Sequence, residues 1–262
     1  MITREDTKFY LSAIRDTVRD IVRIDTPVLR GSNSHIFIVE TKDGVRTVFR
    51  FNPRHVAHRN HDISHVLSSH NVPVPLVKLH LYQGQYFETY PYLAGYTFQE
   101  CLNMGMSKSE ILDTYDMMAQ QIKKMTEIPV HNFKNIENKN CSSVAQSNIV
   151  RKTNSWLLGQ GVKYGTKLLN AGDQNICHCD FTPQNVVFDA GKNTISVLDL
   201  NAVSVANINF ALAITGLSLQ HNKLNQHDFY RVCDDVLSGG INARRIDATE
   251  RVCALYYRNY CK

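Results

Sequence analysis

The chain has 262 residues and a mass of 29.9 kDa, with 43% apolar and 20% charged residues. These values are ordinary for a soluble globular protein with one large domain or two lobes, and they exclude a disordered chain, a collagen-like fibre and a coiled-coil rod. The formal net charge of +5 is mild, so a positive face for anionic ligands and an ordinary solvated surface fit it equally well.

The cysteine pattern, the N-terminal stretch and the apolar runs predict the cellular compartment of the protein. Seven cysteines are scattered without paired spacing, which argues against a disulfide framework and predicts reduced thiols in a cytoplasmic protein. The N-terminal stretch is charged throughout and has no apolar core, so it does not resemble a signal peptide. The most apolar run, residues 210–219, is about ten residues long and too short to cross a bilayer.

The first ninety or so residues predict a small β-rich lobe. Residues 5–23 carry apolar positions at helical spacing and predict an amphipathic helix. Short apolar or alternating runs then predict five strands, with a helix over 56–70 between the third and the fourth. The predicted strands are 28–29, 35–40, 46–51, 76–82 and 85–90.

After Gly95 the chain predicts mainly helices. Ser107 caps a long helical run, with Glu110 three residues later as a capping box. The remaining segments are a polar surface loop, two helices, a β-rich stretch and a helical tail interrupted by two glycines, at 131–145, 144–171, 176–200 and 206–262. A β-rich lobe followed by an α-rich lobe with a short strand pair among its helices is a kinase-like order. The predicted fold class is therefore α+β, a protein-kinase-like two-lobe fold.

The stretch that carries the chemistry is 176–202, ICHCDFTPQNVVFDAGKNTISVLDLNA. It contains His178, Asp180 and Asn185 as H-x-D-x-x-x-x-N, and Asp199 follows fourteen positions after Asn185 at the end of an apolar run. Phosphoryl transfer needs a carboxylate to receive the proton of the attacking hydroxyl. It also needs an amide oxygen and a second carboxylate to hold Mg²⁺ against the nucleotide phosphates. A strand pair in this segment would place all three groups at one end.

This segment resembles the catalytic loop and metal strand of the aminoglycoside phosphotransferase and choline kinase superfamily, the small-molecule relatives of protein kinases. That family usually has H-G-D-x-x-x-x-N followed by a strand ending in I-D, whereas Cys179 stands here at the glycine position. The resemblance implies Asp180 as the catalytic base, Asn185 and Asp199 as Mg²⁺ ligands, and His178 as a residue that braces the loop.

Residues 29–53 resemble the same family's nucleotide loop, hairpin and third strand. Gly31 permits a close backbone approach to a ligand. The next three residues, Ser32, Asn33 and Ser34, offer amides and hydroxyls to phosphate oxygens.

Arg50 stands where protein kinases carry a lysine that grips phosphate, and arginine occurs there in choline kinase-like branches. Its strand alternates, so Arg50 lies on one face while Phe49 and Phe51 take the other, which suits the core. The carboxylate partner in the family is usually a glutamate on the following helix. Here Asp62 is the acid available there, and it lies about two residues from the register that the family pattern implies.

Two further segments are compared with the family. Residues 86–95 resemble the interlobe hinge, which presents backbone groups to adenine, and Tyr92 is the predicted contact. After Asp199 the family often continues with G-D-P-x-x-D-L-A. Residues 206–213 lack both acids of that motif, so the catalytic loop must be supported differently here.

Together these features predict a nucleotide-binding N-lobe over residues 1–93 and a C-lobe over 94–262 that carries the catalytic loop and the acceptor-binding helices. The predicted function is ATP- and Mg²⁺-dependent phosphorylation of a hydroxyl on a small molecule, such as an aminoglycoside, choline, a sugar or an amino alcohol. The expected partner is that acceptor, and neither nucleic acid nor a membrane. One alternative is a nucleotide-binding pseudokinase without turnover. Another is a metal- or nucleic-acid-binding protein built on the histidine-rich helix near residue 60, which has no aromatic-basic motif to support it.

Overall fold

The structure, a computed structural model, describes residues 4–26, 35–139, 174–189 and 194–260. The chain divides into two compact units, one of residues 1–65 with 75–93 and one of residues 66–74 with 94–262. The first unit contains a five-stranded sheet and the second is mainly helical, so the predicted α+β class, with its β-rich and α-rich parts, is confirmed. The functional division into lobes at residue 93 stays a prediction.

The first unit is built around an antiparallel sheet with the strand order β1-β2-β3-β5-β4. Its elements, in chain order, are α1 (Arg4–Thr17), β1 (Ile21–Asp25), β2 (His35–Thr41), β3 (Arg46–Phe51), α2 (Arg54–Ser69), β4 (Lys78–Tyr82) and β5 (Gln85–Pro91). The last turn of α2, residues 66–69, is assigned to the second unit. One face of the sheet forms an aromatic core with α1, in which Phe49, Phe51 and Phe87 pack near Ile14. The other face carries Arg50.

The first helix is shorter than predicted. The sequence suggested a helix over 5–23, but α1 ends at Thr17 and β1 begins at Ile21. Asp20 turns the chain with a φ of 56°, and β1 then pairs antiparallel with β2. The prediction was wrong because the β-branched residues of β1 fit either period, and pairing with β2 decides for the strand. The strand predicted at 28–29 lies outside the described residues.

The elements of the second unit, in chain order, are β6 (Tyr96–Thr97), α3 (Phe98–Asn103), α4 (Lys108–Glu127), α5 (Val130–Lys139), β7 (Gln174–His178), β8 (Val186–Asp189), β9 (Thr194–Val197), β10 (Val203–Asn207), α6 (Ile208–His221), α7 (Gln226–Val236) and α8 (Ala243–Tyr260). The capping box at the start of α4 is confirmed, because the backbone N–H of Ser107 donates to Glu110 Oε2 at 2.7 Å and the N–H of Glu110 donates to Ser107 Oγ at 3.3 Å.

Helix α5 replaces the first part of the loop predicted over 131–145. Its polar composition suggested a surface loop, but Phe133 and Ile136 lie three residues apart and are both buried. Two apolar side chains on one helical face are enough to dock a short polar helix. The two helices predicted over 144–171 lie outside the described residues.

Helix α6 is the buried centre of the second unit. Most of its side chains between Asn209 and Leu219 are buried, so it is apolar on nearly all sides. Two small sheets accompany it: β7 pairs with β10, and β8 lies between β6 and β9. A Cβ at Gly95 would lie 2.4 Å from the carbonyl oxygen of Phe188, so the approach of β6 to β8 requires glycine. No helix in the described ranges is both long and apolar enough to span a membrane.

Candidate active site

The catalytic segment is arranged by one hairpin in the second unit. Strands β8 and β9 are antiparallel, with Val186 opposite Val197. Asn185 therefore precedes the hairpin at the end where Asp199 follows it, and the N–H of Leu198 donates to the carbonyl oxygen of Asn185 at 2.8 Å. The structure thus places these two predicted metal ligands at one end of the strand pair, as their spacing predicted.

Asp180 is held directly by Asn185. The Nδ2 of Asn185 donates to the backbone carbonyl of Asp180 at 2.8 Å and to its carboxylate Oδ2 at 3.1 Å. These two bonds fix the orientation of the amide and leave Oδ1 of Asn185 as its remaining acceptor. The same side chain can therefore position the carboxylate and offer an oxygen to a cation.

His178 braces the loop. It is 3% exposed, its Nε2 donates to the carbonyl oxygen of Leu198 at 2.7 Å, and its Nδ1 accepts from the N–H of Asp180 at 3.3 Å. One nitrogen donates and the other accepts, which is the pattern of a neutral imidazole. Burial lowers the pKa of His178, which agrees with that neutral form. The ring ties the start of the catalytic loop to the end of β9.

The electrostatics at Asp180 favour proton uptake. Burial raises the pKa of Asp180, and the negative charge of Asp199 raises it further. A charged His178 would act in the opposite direction, but the hydrogen bonds of its ring make it neutral. The hydrogen bond from Asn185 lowers the pKa only in part. A carboxylate whose pKa is raised in this way is a suitable acceptor for the proton of a hydroxyl.

The residues present fit a divalent cation. Asp199 supplies a carboxylate that is near enough for its charge to raise the pKa of Asp180, and Asn185 supplies an amide oxygen. Oxygen donors of this kind suit Mg²⁺. Asp199 also has a φ of 54° and a ψ of 64°, in the left-handed region that aspartate adopts uncommonly. Such conformations cluster at functional sites, where the surrounding structure enforces them.

The catalytic loop is supported without the two acids of the family motif. The N–H of Cys179 donates to the carbonyl oxygen of Ala202 at 2.9 Å, and His178 pairs with Val203 across β7 and β10. Cys179 is fully buried beside the core of α6 and forms no disulfide with the other described residues, which agrees with the predicted reduced thiols. Its Sγ donates to the carbonyl oxygen of Cys177 at 3.9 Å.

Asn207 takes the position of one missing acid. Its Oδ1 accepts from the N–H of Asn209 at 2.9 Å and caps α6. Backbone pairing and amide caps therefore stabilise the segment in place of carboxylates.

Arg50 lies in the first unit on the sheet face that points away from α1. It is 7% exposed, and its register partners are Ile36 on β2 and Glu88 on β5. Phe49 and Phe51 occupy the opposite face in the aromatic core, as the alternation predicted. The four loop residues Gly31, Ser32, Asn33 and Ser34 lie outside the described residues.

Tyr92 follows directly after β5. Its backbone N–H donates to the carbonyl oxygen of Arg46 at 3.0 Å, and the Arg46 guanidinium lies 3.8 Å from the centroid of the Tyr92 ring. The N–H is therefore used by the sheet, and the backbone group that Tyr92 can offer to a ligand is its carbonyl. Its contact with a nucleotide base stays a prediction.

Glu88 is the residue that the sequence analysis missed. Asp62 is the acid on α2 that the family pattern suggested as the partner of Arg50. Its side chain is partly exposed, and its Oδ1 lies 3.1 Å from Nδ1 of His61. Glu88 is 1% exposed and stands opposite Arg50 in the sheet. The signal was an acid within an otherwise apolar and aromatic strand, which is rare unless the acid has a partner.

Comparison with known proteins identifies solved structures that share this fold. No family model matches the sequence, and the comparison with curated proteins found no match. Among solved structures, an aminoglycoside phosphotransferase determined with GDP and kanamycin matches with a TM-score of 0.67 at 11% identity, over 97% of this chain and 91% of that chain. A macrolide 2′-phosphotransferase from Brachybacterium faecium matches with a TM-score of 0.65 at 13% identity, over 98% and 94%. An ethanolamine kinase from Plasmodium vivax matches with a TM-score of 0.61 at 13% identity, over 95% and 79%.

At the level of the fold, these matches confirm the resemblance to small-molecule kinases and the predicted protein-kinase-like fold class. The chain has the fold of the aminoglycoside phosphotransferase and choline kinase superfamily. The similarity extends over nearly the whole chain, including both compact units.

Proposed function

We propose that this protein is a phosphotransferase that moves the γ-phosphoryl group of ATP to a hydroxyl of a small molecule, with Mg²⁺ as the metal. The observation that carries the proposal is the carboxylate of Asp180, held by Asn185 in a loop braced by His178. This geometry occurs in a fold whose named neighbours are phosphotransferases and kinases of small molecules.

In this proposal Asp180 orients the acceptor hydroxyl and receives its proton. Its raised pKa brings the carboxylate closer to the basicity that a proton acceptor needs near neutral pH. His178 remains neutral and holds the loop, so the proton passes to Asp180. Because catalysis of this kind rests on positioning and charge stabilisation, the rigidity of the loop matters as much as the base.

Asn185 Oδ1 and the Asp199 carboxylate would hold Mg²⁺. When bound, the ion supplies charge neutralisation for the phosphate oxygens of the nucleotide. Arg50 and the loop from Gly31 to Ser34 would contact the triphosphate. A guanidinium can form two parallel hydrogen bonds with phosphate oxygens, which an ammonium group cannot.

The acceptor class stays open among an aminoglycoside, choline, a sugar and an amino alcohol. The neighbouring structures differ in this respect, since one holds kanamycin and another is an ethanolamine kinase. They also differ in nucleotide, with GDP in one complex and ATP in a complex with streptomycin. We also propose a cytoplasmic location, supported by four cysteines of the described residues, which are buried and form no disulfide. A pseudokinase role finds no support among these neighbours.

A panel of hydroxyl acceptors with Mg²⁺ and ATP tests the proposal. We expect ADP release that depends on one acceptor class and on Mg²⁺. GTP in place of ATP measures the nucleotide preference, and Asp180→Asn serves as the matched inactive control. ADP release that is the same with and without every acceptor, or equal in Asp180→Asn, would contradict the proposal.

A further inference from the structure

A cluster of one buried carboxylate and two side-chain amides lies on the sheet face that carries Arg50. Glu88 is 1% exposed and accepts two amide donors: Asn52 Nδ2 at 2.7 Å from its Oε1, and Asn60 Nδ2 at 3.0 Å from Oε1 and 3.3 Å from Oε2. Asn52 follows β3, whereas Asn60 belongs to helix α2. Elements from three parts of the sequence therefore converge on one carboxylate.

Arg50 is placed to neutralise this carboxylate. It is the register partner of Glu88 on adjacent antiparallel strands, so the two side chains leave the same face with Cβ atoms about 5 Å apart. Both residues are buried, and an isolated buried charge is very costly, whereas an opposite charge with additional hydrogen bonds offsets that cost. The amides of Asn52 and Asn60 satisfy oxygens of Glu88 but carry no charge.

We propose that Glu88 is a positioning residue that fixes the guanidinium of Arg50 for the nucleotide phosphates, and that Asn60 supports it from α2. The inference deepens the proposed function, because it presumes that Arg50 binds phosphate. The carboxylate stands on the neighbouring strand, and helix α2 contributes an amide at Asn60. The orientation of Arg50 is therefore set within the sheet, and α2 acts on it through Glu88.

The decisive readout is the affinity for Mg²⁺-ATP compared with the affinity for adenosine, both measured by calorimetry. Adenosine lacks phosphates, so a change confined to the Arg50 guanidinium alters only the affinity for ATP. We expect Glu88→Gln to weaken Mg²⁺-ATP binding by about tenfold or more while adenosine binding changes by less than about twofold. A merely structural role would weaken both ligands in parallel, and that result, or unchanged ATP binding, would overturn the proposal.

A double-mutant cycle identifies the arginine side chain that Glu88 positions. Combining Glu88→Gln with Arg50→Met should weaken ATP binding no further than Arg50→Met alone, because both changes remove the same interaction. Arg59 provides the comparison, since it is also buried and adjoins Asn60 on α2. Coupling of Glu88 with Arg59 and none with Arg50 would overturn the assignment. Glu40→Gln is the matched control, because Glu40 is the register partner of Arg46 at the other end of β3.

A charge swap gives a test by rescue. In the double variant Asn60→Asp, Glu88→Gln the carboxylate moves from the strand to the helix and the amide moves to the strand. We expect ATP affinity to recover to within about threefold of the wild type, because the cluster keeps one negative charge beside Arg50. If Glu88→Gln does not fold, the ATP affinity of the double variant is compared directly with that of the wild type. A double variant that does not fold or does not bind ATP contradicts the proposal.

The outcome can be separated from that of the proposed function. A wild-type protein that binds no ATP refutes the function before any variant is compared. A wild-type protein that binds ATP, with an unchanged ratio of ATP to adenosine affinity in Glu88→Gln, refutes only the role of Glu88.

Discussion

Replacing Asp180 by asparagine removes the proposed base while the loop keeps its shape. The amide has nearly the same volume, and Asn185 Nδ2 can still donate to the backbone carbonyl at 2.8 Å. The new side-chain oxygen can also take the place of Oδ2, which now accepts from Asn185 at 3.1 Å. Burial and the charge of Asp199 both disfavour the ionised carboxylate, so the neutral amide should not lower the melting temperature.

The expected loss is in turnover. A positioned general base contributes about 10²- to 10⁴-fold, which corresponds to about 3 to 5 kcal/mol of transition-state stabilisation. We therefore expect kcat for Asp180→Asn to fall by at least about a hundredfold, with Mg²⁺-ATP affinity nearly unchanged. A coupled assay of ADP release with the acceptor from the panel measures kcat, and calorimetry measures binding. Turnover within a few-fold of the wild type would refute the base role of Asp180.

Substitutions at three further residues test other parts of the molecule. Asp199→Ala should weaken Mg²⁺-dependent nucleotide binding, because a carboxylate ligand is lost; equal Mg²⁺-ATP affinity in calorimetry would remove Asp199 from the metal site. Arg50→Ala should raise KM for ATP, and Arg50→Lys should recover only part of the loss because the bidentate grip is absent; a wild-type dependence of the rate on ATP would argue against this role. Glu250 accepts hydrogen bonds from Tyr230 and Gln226, and burial raises its pKa from the ordinary value of 4.5, so its protonated form is favoured by folding. The stabilisation by the protonated Glu250 side chain is therefore full below pH 4.5 and is lost as pH rises through the folded pKa. Because glutamine does not ionise, Glu250→Gln should gain stability relative to the wild type between pH 4 and pH 7 in thermal melts. A difference in melting temperature that stays constant over this range would contradict the prediction.

Local patterns made the catalytic segment predictable. Asp180, Asn185 and Asp199 lie within one loop and hairpin, so their spacing alone determines which end of the strand pair they share. The capping box at Ser107 is local in the same sense, because both of its hydrogen bonds join residues three positions apart. Chemistry contained within one supersecondary unit can be inferred from order and spacing.

Long-range pairing made other features unpredictable. Residues 21–25 fit a helical or a strand period, and only their pairing with β2 decides the outcome. Helix α5 depends on the burial of Phe133 and Ile136, which a polar composition conceals. Glu88 stands opposite Arg50 only because β5 adjoins β3, and strand order and register are not encoded in the local pattern of either strand.

The most direct test of the central claim follows the phosphoryl group itself. Wild-type protein is incubated with Mg²⁺, ATP and each acceptor, and the mass of the acceptor is measured together with the ADP released. The account predicts an acceptor heavier by one phosphoryl group, in equal amount to the ADP, and no product when Mg²⁺ is chelated. It also predicts that the rate of product formation falls by at least about a hundredfold when Asp180 is replaced by asparagine. ADP accompanied only by free phosphate, or no phosphorylated product with any small-molecule hydroxyl, would contradict the account.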